Sequence, residues 1–381
     1  METRNFRNIG RDISLLGFGL MRLPLKSKNV RDIDYATAEK MVGRALDMGV
    51  NYFDTAWVYH EGESENFAGY ALSKYPRDKY CLATKMPIWI LESSGDPERI
   101  FTEQLKKCRV EYFDFYLLHN IGGETYDISL KYDVYEFLRK KKDAGYITNL
   151  GFSVHDSPAH LEKVLESREW DFAQIQLNYI DWYALDAKSQ YESIARRGIP
   201  VVVMEPVRGG VLANLGEKAD SILKEADGEA SQASWAIRYA ASLPGVMTVL
   251  SGMSDPEQLE DNLKTMTDFR ALSNDDRVVI EKAAAEYRAS GAIPCTGCGY
   301  CMDCPVGVDI PRVFAIYNHY RTVRLSNETI AGIVFENTYT RVLSESQKAH
   351  NCVSCEKCVE HCPQGIEIPK FMKDIAAFAA A

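Results

Sequence analysis

The chain has 381 residues, a formal net charge of −10 and 46% hydrophobic residues. The acidic balance, with no Lys/Arg block to override it, argues against nucleic-acid binding, and no run of about twenty apolar residues marks a membrane span. A start of METRNFRNIGRD, without an apolar stretch behind a basic one, leads us to expect a soluble, cytoplasmic protein, with oligomeric state left open by the acidic surface.

From about Leu15 onward, short apolar runs alternate with amphipathic stretches. The runs are LLGFGLMRL, VNYFDTA, KYCLATKM, YFDFYLLH, ITNLGFSV, FAQIQLNY, IPVVVMEP and VMTVLSG. Between them, segments such as ATAEKMVGRALDMG, DPERIFTEQLKKC and AKSQYESIARRG repeat apolar residues at three- and four-residue spacing. Strand and helix alternating eight times predicts a parallel sheet closed into a (β/α)8 TIM barrel over residues 1–270. A doubly wound open sheet is the alternative. It would ordinarily carry G-x-G-x-x-G after its first strand, and GFGLMR matches that poorly. SNDDRVVIEKAAAEYRAS then predicts a bridging helix over 271–290, capped near Ser273.

Residues 291–381 hold eight of the ten cysteines, in the runs Cys295-x2-Cys298-x2-Cys301-x2-Cys304-Pro305 and Cys352-x2-Cys355-x2-Cys358-x3-Cys362-Pro363. Three thiolates at that step can ligate three corners of a cubane, while the fourth cysteine, before proline, ligates the other cluster of a pair. The expectation is two [4Fe-4S] clusters, one on Cys295, Cys298, Cys301 and Cys362, the other on Cys352, Cys355, Cys358 and Cys304. The first run departs from the usual pattern by having two residues, not three, before its last cysteine. Disulfides suit secreted domains, and tetrathiolate zinc needs neither a third cysteine at the same step nor a Cys-Pro ending. The segment between the runs, including DIPRVFAIYNHYRTVR, predicts a small, mostly helical ferredoxin-like domain, and the Ala-rich tail predicts a frayed end. Cys81 and Cys108 stand alone in apolar segments and are expected to be buried.

A TIM barrel does its chemistry at the C-terminal ends of its strands. Asp54 ends VNYFD, Tyr59 follows in the next loop, Lys85 ends CLATK and His119 ends YFDFYLLH. An ammonium beside a phenol favours loss of the phenolic proton, so Tyr59 can act as a general acid beside Lys85. Asp54 would hold Lys85 charged, and His119 would orient a substrate carbonyl. Trp57, Trp89 and Trp182 also fall near strand ends and could line a substrate pocket.

These residues, with the segments GVNYFDTAWVYHEGESENFAGYAL, FDFYLLH, GFSVHD, AQIQLNY and SGMSDPEQLEDNL, resemble the aldo-keto reductase superfamily over roughly residues 1–270. With the cysteine runs, the whole chain looks like the branch that carries a C-terminal ferredoxin domain. The resemblance implies hydride transfer from NAD(P)H to a carbonyl, with Asp54, Tyr59, Lys85 and His119 as the catalytic tetrad. It further implies that Ser153 and Gln174 hold the nicotinamide carboxamide and that Met204 lies where the ring stacks. Ser251, Gly252, Gln258 and Asn262 would face the adenosine, and Arg208 is the nearest basic residue for the pyrophosphate. The adenosine stretch has no Lys or Arg before Lys264, which speaks against a dedicated 2′-phosphate site.

A hydride carries two electrons and a cubane passes one. The first reading is therefore an NAD(P)H-dependent carbonyl reductase with two appended clusters. The alternatives are a reductase fed through the clusters by a ferredoxin or flavodoxin, with a flavin or radical relay although no flavin motif is present, and a non-catalytic nicotinamide or redox sensor.

Overall fold

The computed structural model describes residues 1–6, 8–302 and 304–380. All eight expected barrel strands form. After a short antiparallel hairpin, β1 (Thr3–Asn5) and β2 (Asp12–Ser14), come β3 (Leu16–Gly19), β4 (Tyr52–Asp54), β5 (Cys81–Pro87), β6 (Phe113–His119), β7 (Ile147–Val154), β8 (Phe172–Gln176), β9 (Val201–Met204) and β10 (Val246–Gly252). Strands β3 to β10 pair in parallel in sequence order, and β10 returns to β3 to close the barrel. Their residues are buried almost throughout, as strands covered on both faces must be, which is why they read as continuous apolar runs.

The β1–β2 hairpin was not legible in the sequence, because three-residue strands carry too little alternation to stand out. Ile9 and Ile13, from its loop and its second strand, join Tyr52, Ala83, Phe115 and Phe172 in one buried cluster. At the contact between β7 and β8, Gly151 lets the strands meet. A Cβ there would lie 2.5 Å from the Phe172 carbonyl oxygen.

The chain divides into two compact units, residues 1–206 with 236–272, and residues 207–235 with 273–381. The partition differs from the sequence expectation in two respects, the first being that the expected bridging segment 271–290 is not separate but falls, from residue 273 onward, in the cysteine-rich unit. The segment after β9, residues 207–235, belongs to the same unit as the cysteine-rich region. Its helix Glu217–Ala226 packs on Asn274–Ala289, the bridging helix anticipated from the sequence. That helix is capped by the Ser273 side chain, which accepts from Asp276 N at 3.1 Å.

Beyond residue 291 the described residues form helices and turns without strands, principally Ile310–Val323, Glu328–Val342 and Ile368–Ala379. The last of these corrects the expected frayed end. Ile368, Met372 and Ile375 recur at four- and three-residue spacing, so the tail has an apolar stripe, which is buried with Val313, Phe314 and Phe335. Among the described residues no helix is long and apolar enough to cross a membrane.

Candidate functional site

Lys85 is the centre of the barrel site. It projects from β5 with no solvent exposure, and Asp54, at the end of β4, is 2% exposed. Lys85 Nζ donates to both carboxylate oxygens of Asp54, at 2.7 and 2.8 Å, and to the Thr55 carbonyl at 2.8 Å. Burial raises the Asp54 pKa and lowers that of Lys85, while their mutual attraction opposes both shifts. Glu65, buried behind β5, adds a second negative charge that favours the ammonium. Gln104 ties this layer together, donating to Glu65 and to the Lys85 carbonyl at 2.7 and 2.9 Å.

Tyr59 opens a 3-10 turn, Tyr59–Gly62, whose next two residues, His60 and Glu61, have φ of 52° and 50°. The neighbouring His60 anchors that turn. Its Nε2 accepts from Leu23 N at 3.1 Å, and its Nδ1 lies 2.6 Å from the Val30 carbonyl. An acceptor at one nitrogen and a donor at the other define a neutral ring, and burial lowers the His60 pKa accordingly. The ammonium of Lys85 lies 4.9 Å from the Tyr59 ring centroid, and the ring of His119 meets Tyr59 edge-on at 6.2 Å. Burial, reinforced by the positive charge of Lys85 and then by His155, holds His119 well below the ordinary histidine range. Its buried Nδ1 has no hydrogen-bond partner. The four residues thus come together as one fixed cation, one carboxylate, one phenol and one neutral imidazole.

Of the three tryptophans considered for the pocket, Trp89 packs its ring 4.9 Å from His119 and is 41% exposed. Trp57 instead lies under the Lys107 ammonium, and Trp182 packs on Tyr191 and Tyr239.

Gln174 fits a carboxamide partner. Its Nε2 points at the Met204 sulfur, 3.6 Å away, while its buried Oε1 has no partner and would accept an amide N–H. Ser153 Oγ accepts from Asn120 N at 2.9 Å and keeps its own proton to donate. At the far end, the loop after β10 is closed internally. Asn262 Nδ2 donates to Ser251 Oγ at 2.8 Å, and the Gln258 amide bridges Ser254 N and Asp255. Asp255 caps the helix Pro256–Thr267, accepting from Gln258 N at 2.8 Å, so a carboxylate already occupies the helix end expected to receive phosphate.

The basic residue that faces this loop was not anticipated. Arg22 follows β3, its stem lies against Gly252 so closely that a Cβ there would come within 3.2 Å, and its carbonyl accepts from Ser254 Oγ at 2.9 Å. Its guanidinium is 3.7 Å from Glu205, the residue after Met204. The partners lie 232 residues apart in sequence, and the only local signal was a lone arginine at a strand end. Arg208 does not lie in this unit. It is 1% exposed within the second unit, where its Nη2 donates to the Pro294 carbonyl at 3.5 Å and its charge acts on Cys295.

All ten cysteines are free thiols, with Cys81 and Cys108 buried as expected. The other eight gather in the two groups anticipated from the sequence. A cavity of about 220 Å³ is lined by Cys304, Cys352, Cys355 and Cys358, and a smaller recess by Cys295, Cys298 and Cys362, with Cys301 bordering both. The electrostatics sort the thiols in the same way. Burial pushes Cys301 up to about 12, and Cys298, Cys295 and Cys362 push it further in that direction. Cys358 is raised by burial and then by Cys352, Cys355 and Cys304. The two loops also share a backbone path. Gly297 and Gly299 have φ of 64° and 84°, and their counterparts Ser354 and Glu356 have 53° and 62°. Four soft donors around each of two recesses is a donor set that fits a cubane.

An aldo/keto reductase family model matches residues 15–285, and a 4Fe-4S dicluster domain model matches residues 294–367. Among curated relatives, L-galactose dehydrogenase of Arabidopsis thaliana is 25% identical over 74% of this chain and 94% of its own length. The NADH-specific methylglyoxal reductase of Escherichia coli is 25% identical over 62% of this chain and 84% of its own. Among solved structures, the holo form of an aldo-keto reductase from Bacillus halodurans superposes with a TM-score of 0.62 at 25% identity, covering 74% of this chain and 96% of that one. With the family match running through the whole barrel, the chain belongs to the aldo/keto reductase family and is an oxidoreductase with a C-terminal 4Fe-4S dicluster domain.

Proposed function

We propose that the barrel reduces an aldehyde or ketone to the alcohol, with Tyr59 as the proton donor. When bound, NAD(P)H, which the family uses, supplies the hydride, and the [4Fe-4S] clusters supply single-electron capacity. The observation that carries the proposal is the buried Lys85 ammonium, held by Asp54 and lying 4.9 Å from the Tyr59 ring. As the carbonyl oxygen gains negative charge, Tyr59 gives it a proton, and the ammonium stabilises the phenolate left behind. His119, neutral because of its burial, can donate a hydrogen bond to that oxygen without competing as an acid. Gln174 and Ser153 orient the carboxamide, and Trp89 supplies an apolar wall beside His119.

The nearly equal match to a sugar dehydrogenase and to a methylglyoxal reductase supports a small polar carbonyl or its alcohol as the substrate class. The decisive experiment is anaerobic turnover of NADH and NADPH against a panel of small aldehydes, ketones and aldoses. Oxidation of neither coenzyme by any of them would remove the carbonyl-reductase reading and favour a sensor.

For the clusters, the thiol grouping supports crossed ligation, with Cys362 completing the set of Cys295, Cys298 and Cys301, and Cys304 that of Cys352, Cys355 and Cys358. Replacing Cys304 by Ala then leaves the cluster of the first run intact and removes or converts that of the second. Loss of the first run's cluster in that variant would reverse the assignment.

A further inference from the structure

Glu65 is a buried carboxyl group that the tetrad does not use. It lies on the helix Glu63–Leu72, which follows the Tyr59–Gly62 turn, and has no solvent exposure. Thr84 Oγ1 and Gln104 Nε2 both donate to its Oε1 at 2.7 Å. Gln104 is fixed in that orientation, because its own Oε1 accepts from the Tyr116 hydroxyl. The same Gln104 Nε2 donates to the Lys85 carbonyl at 2.9 Å, so one amide holds Glu65 and Lys85 in a single layer.

The other oxygen, Glu65 Oε2, is buried without a hydrogen-bond partner. It faces the Lys107 ammonium, 3.7 Å away on the helix Asp96–Cys108. A proton on Oε2 would be a buried donor facing another donor, whereas a carboxylate there is attracted to Lys107 and keeps both donors on its Oε1. This geometry selects the ionised form, although burial raises the Glu65 pKa. Lys107 also abuts the Tyr59 turn. Its ammonium is 3.8 Å from the Trp57 ring centroid, and a Cβ on Gly62 would lie 3.9 Å from its Nζ.

The other titratable groups packed here are neutral or at the rim. Burial and then Glu65 push Cys108 and Tyr116 well above their ordinary values, while burial holds His119 and His155 below theirs. Glu103 pairs with Lys107 at 3.5 Å on the exposed side. Asp54 and Lys85 neutralise one another, which leaves Glu65 as an additional negative charge behind the ammonium.

We propose that Glu65 is a positioning residue for the reduction, a buried anion that keeps the Lys85 ammonium and the Tyr59 phenol protonated into the alkaline range, with Lys107 opposing it from the rim. The inference rests on the reading of Tyr59 as the proton donor. A negative charge in a low-dielectric interior makes loss of a proton harder at every group within its reach. Glu65 therefore extends to higher pH the range over which Tyr59 still has a proton to give.

The test is an ultraviolet titration of the full chain, kept anaerobic and free of coenzyme and substrate. Tyr59 is read as the difference between each protein and the same protein carrying Tyr59→Phe. The proteins are the parent, Glu65→Gln, Glu65→Asp and Lys107→Gln. The expected result is a Tyr59 midpoint lowered by about half a pH unit or more in Glu65→Gln, closer to the parent in Glu65→Asp, and raised in Lys107→Gln. The alkaline limb of single-turnover NADH oxidation, with the fastest carbonyl of the panel, should move in the same directions. Equal midpoints in the parent and Glu65→Gln, or none reached in either before alkaline unfolding, overturn the proposal. Shifts of the same sign in Glu65→Gln and Lys107→Gln also overturn it, since they mark lost packing rather than lost charge. Should Glu65→Gln fail to fold, Lys107→Gln decides alone, and a midpoint unchanged or lowered there is fatal. Midpoints that shift as expected in a protein whose turnover ignores Tyr59→Phe would instead refute the proton-donor reading on which the inference stands.

Discussion

Replacing Tyr59 by Phe removes one oxygen atom from the site and nothing else. The ring keeps its approach to the Lys85 ammonium and its edge contact with His119, since both involve the ring rather than the hydroxyl. The Lys85–Asp54 pair is untouched, so no buried charge is left unpaired. Losing one hydroxyl hydrogen bond costs about 1 kcal/mol of stability. The kinetic effect is far larger, because a positioned general acid contributes about 10²- to 10⁴-fold, or roughly 3–5 kcal/mol of barrier. Turnover should therefore fall at least a hundredfold while the dissociation constant for the coenzyme and the melting temperature stay nearly constant. By contrast, Lys85→Met would strand the Asp54 carboxylate in the interior, at about 3–5 kcal/mol, and confound folding with chemistry. The assay is steady-state turnover of Tyr59→Phe beside fluorescence titration with NADH. Turnover within about twofold of the parent would refute the proton-donor role that this geometry supports.

Three further outcomes follow from the same geometry. Arg22→Met should weaken NADH and NADPH alike by about tenfold or more, the worth of a charge-assisted hydrogen bond to a phosphate, and unchanged dissociation constants would dismiss Arg22 as a coenzyme contact. His60, His119 and His155 are all held neutral chiefly by burial, His155 at about 4. Below pH 6.5 the unfolded chain binds protons that the native state refuses, so stability should fall with pH from about 6.5 toward 4, by at most roughly 1.4 kcal/mol per unit for each histidine. A melting temperature flat between pH 7 and 5 would contradict this. Ser354→Gly should stabilise the chain by about 0.5–1 kcal/mol, because Ser354 occupies the left-handed region that its counterpart Gly297 occupies freely. A lower anaerobic melting temperature in that variant would show that the serine side chain has a compensating partner.

The barrel was legible because its strands are buried on both faces and so write themselves as unbroken apolar runs. The thiol grouping was legible for a related reason, since ligand geometry restricts cysteine spacing almost as tightly as the pleat restricts a strand. What the sequence concealed were contacts between residues far apart along the chain. Nothing local to GFGLMRL says that Arg22 will lie on Gly252, and nothing local to PVRGG says that Arg208 will lie beside Pro294 rather than face a coenzyme. In the first case the cause is a missing side chain at Gly252. In the second it is a run of left-handed backbone that redirects the loop. The Asp255 cap was in principle readable, since aspartate before proline at a helix start is a strong capping signal, and it bears directly on how much anion the helix end can accept.

Proton and electron counts bear on what the two halves of the protein do for one another. Under the proposed reaction, the carbonyl gains a hydride and the proton of Tyr59, which together make the alcohol with no electron left over. The other ionisable groups of the barrel site are already committed, because Lys85 and Asp54 neutralise one another and His119 is neutral. The barrel chemistry therefore closes without a cluster, and a cluster that took part in each turnover would have to find a one-electron carrier that the tetrad does not provide. This favours clusters that hold the dicluster unit together or report redox state over clusters that feed the reaction.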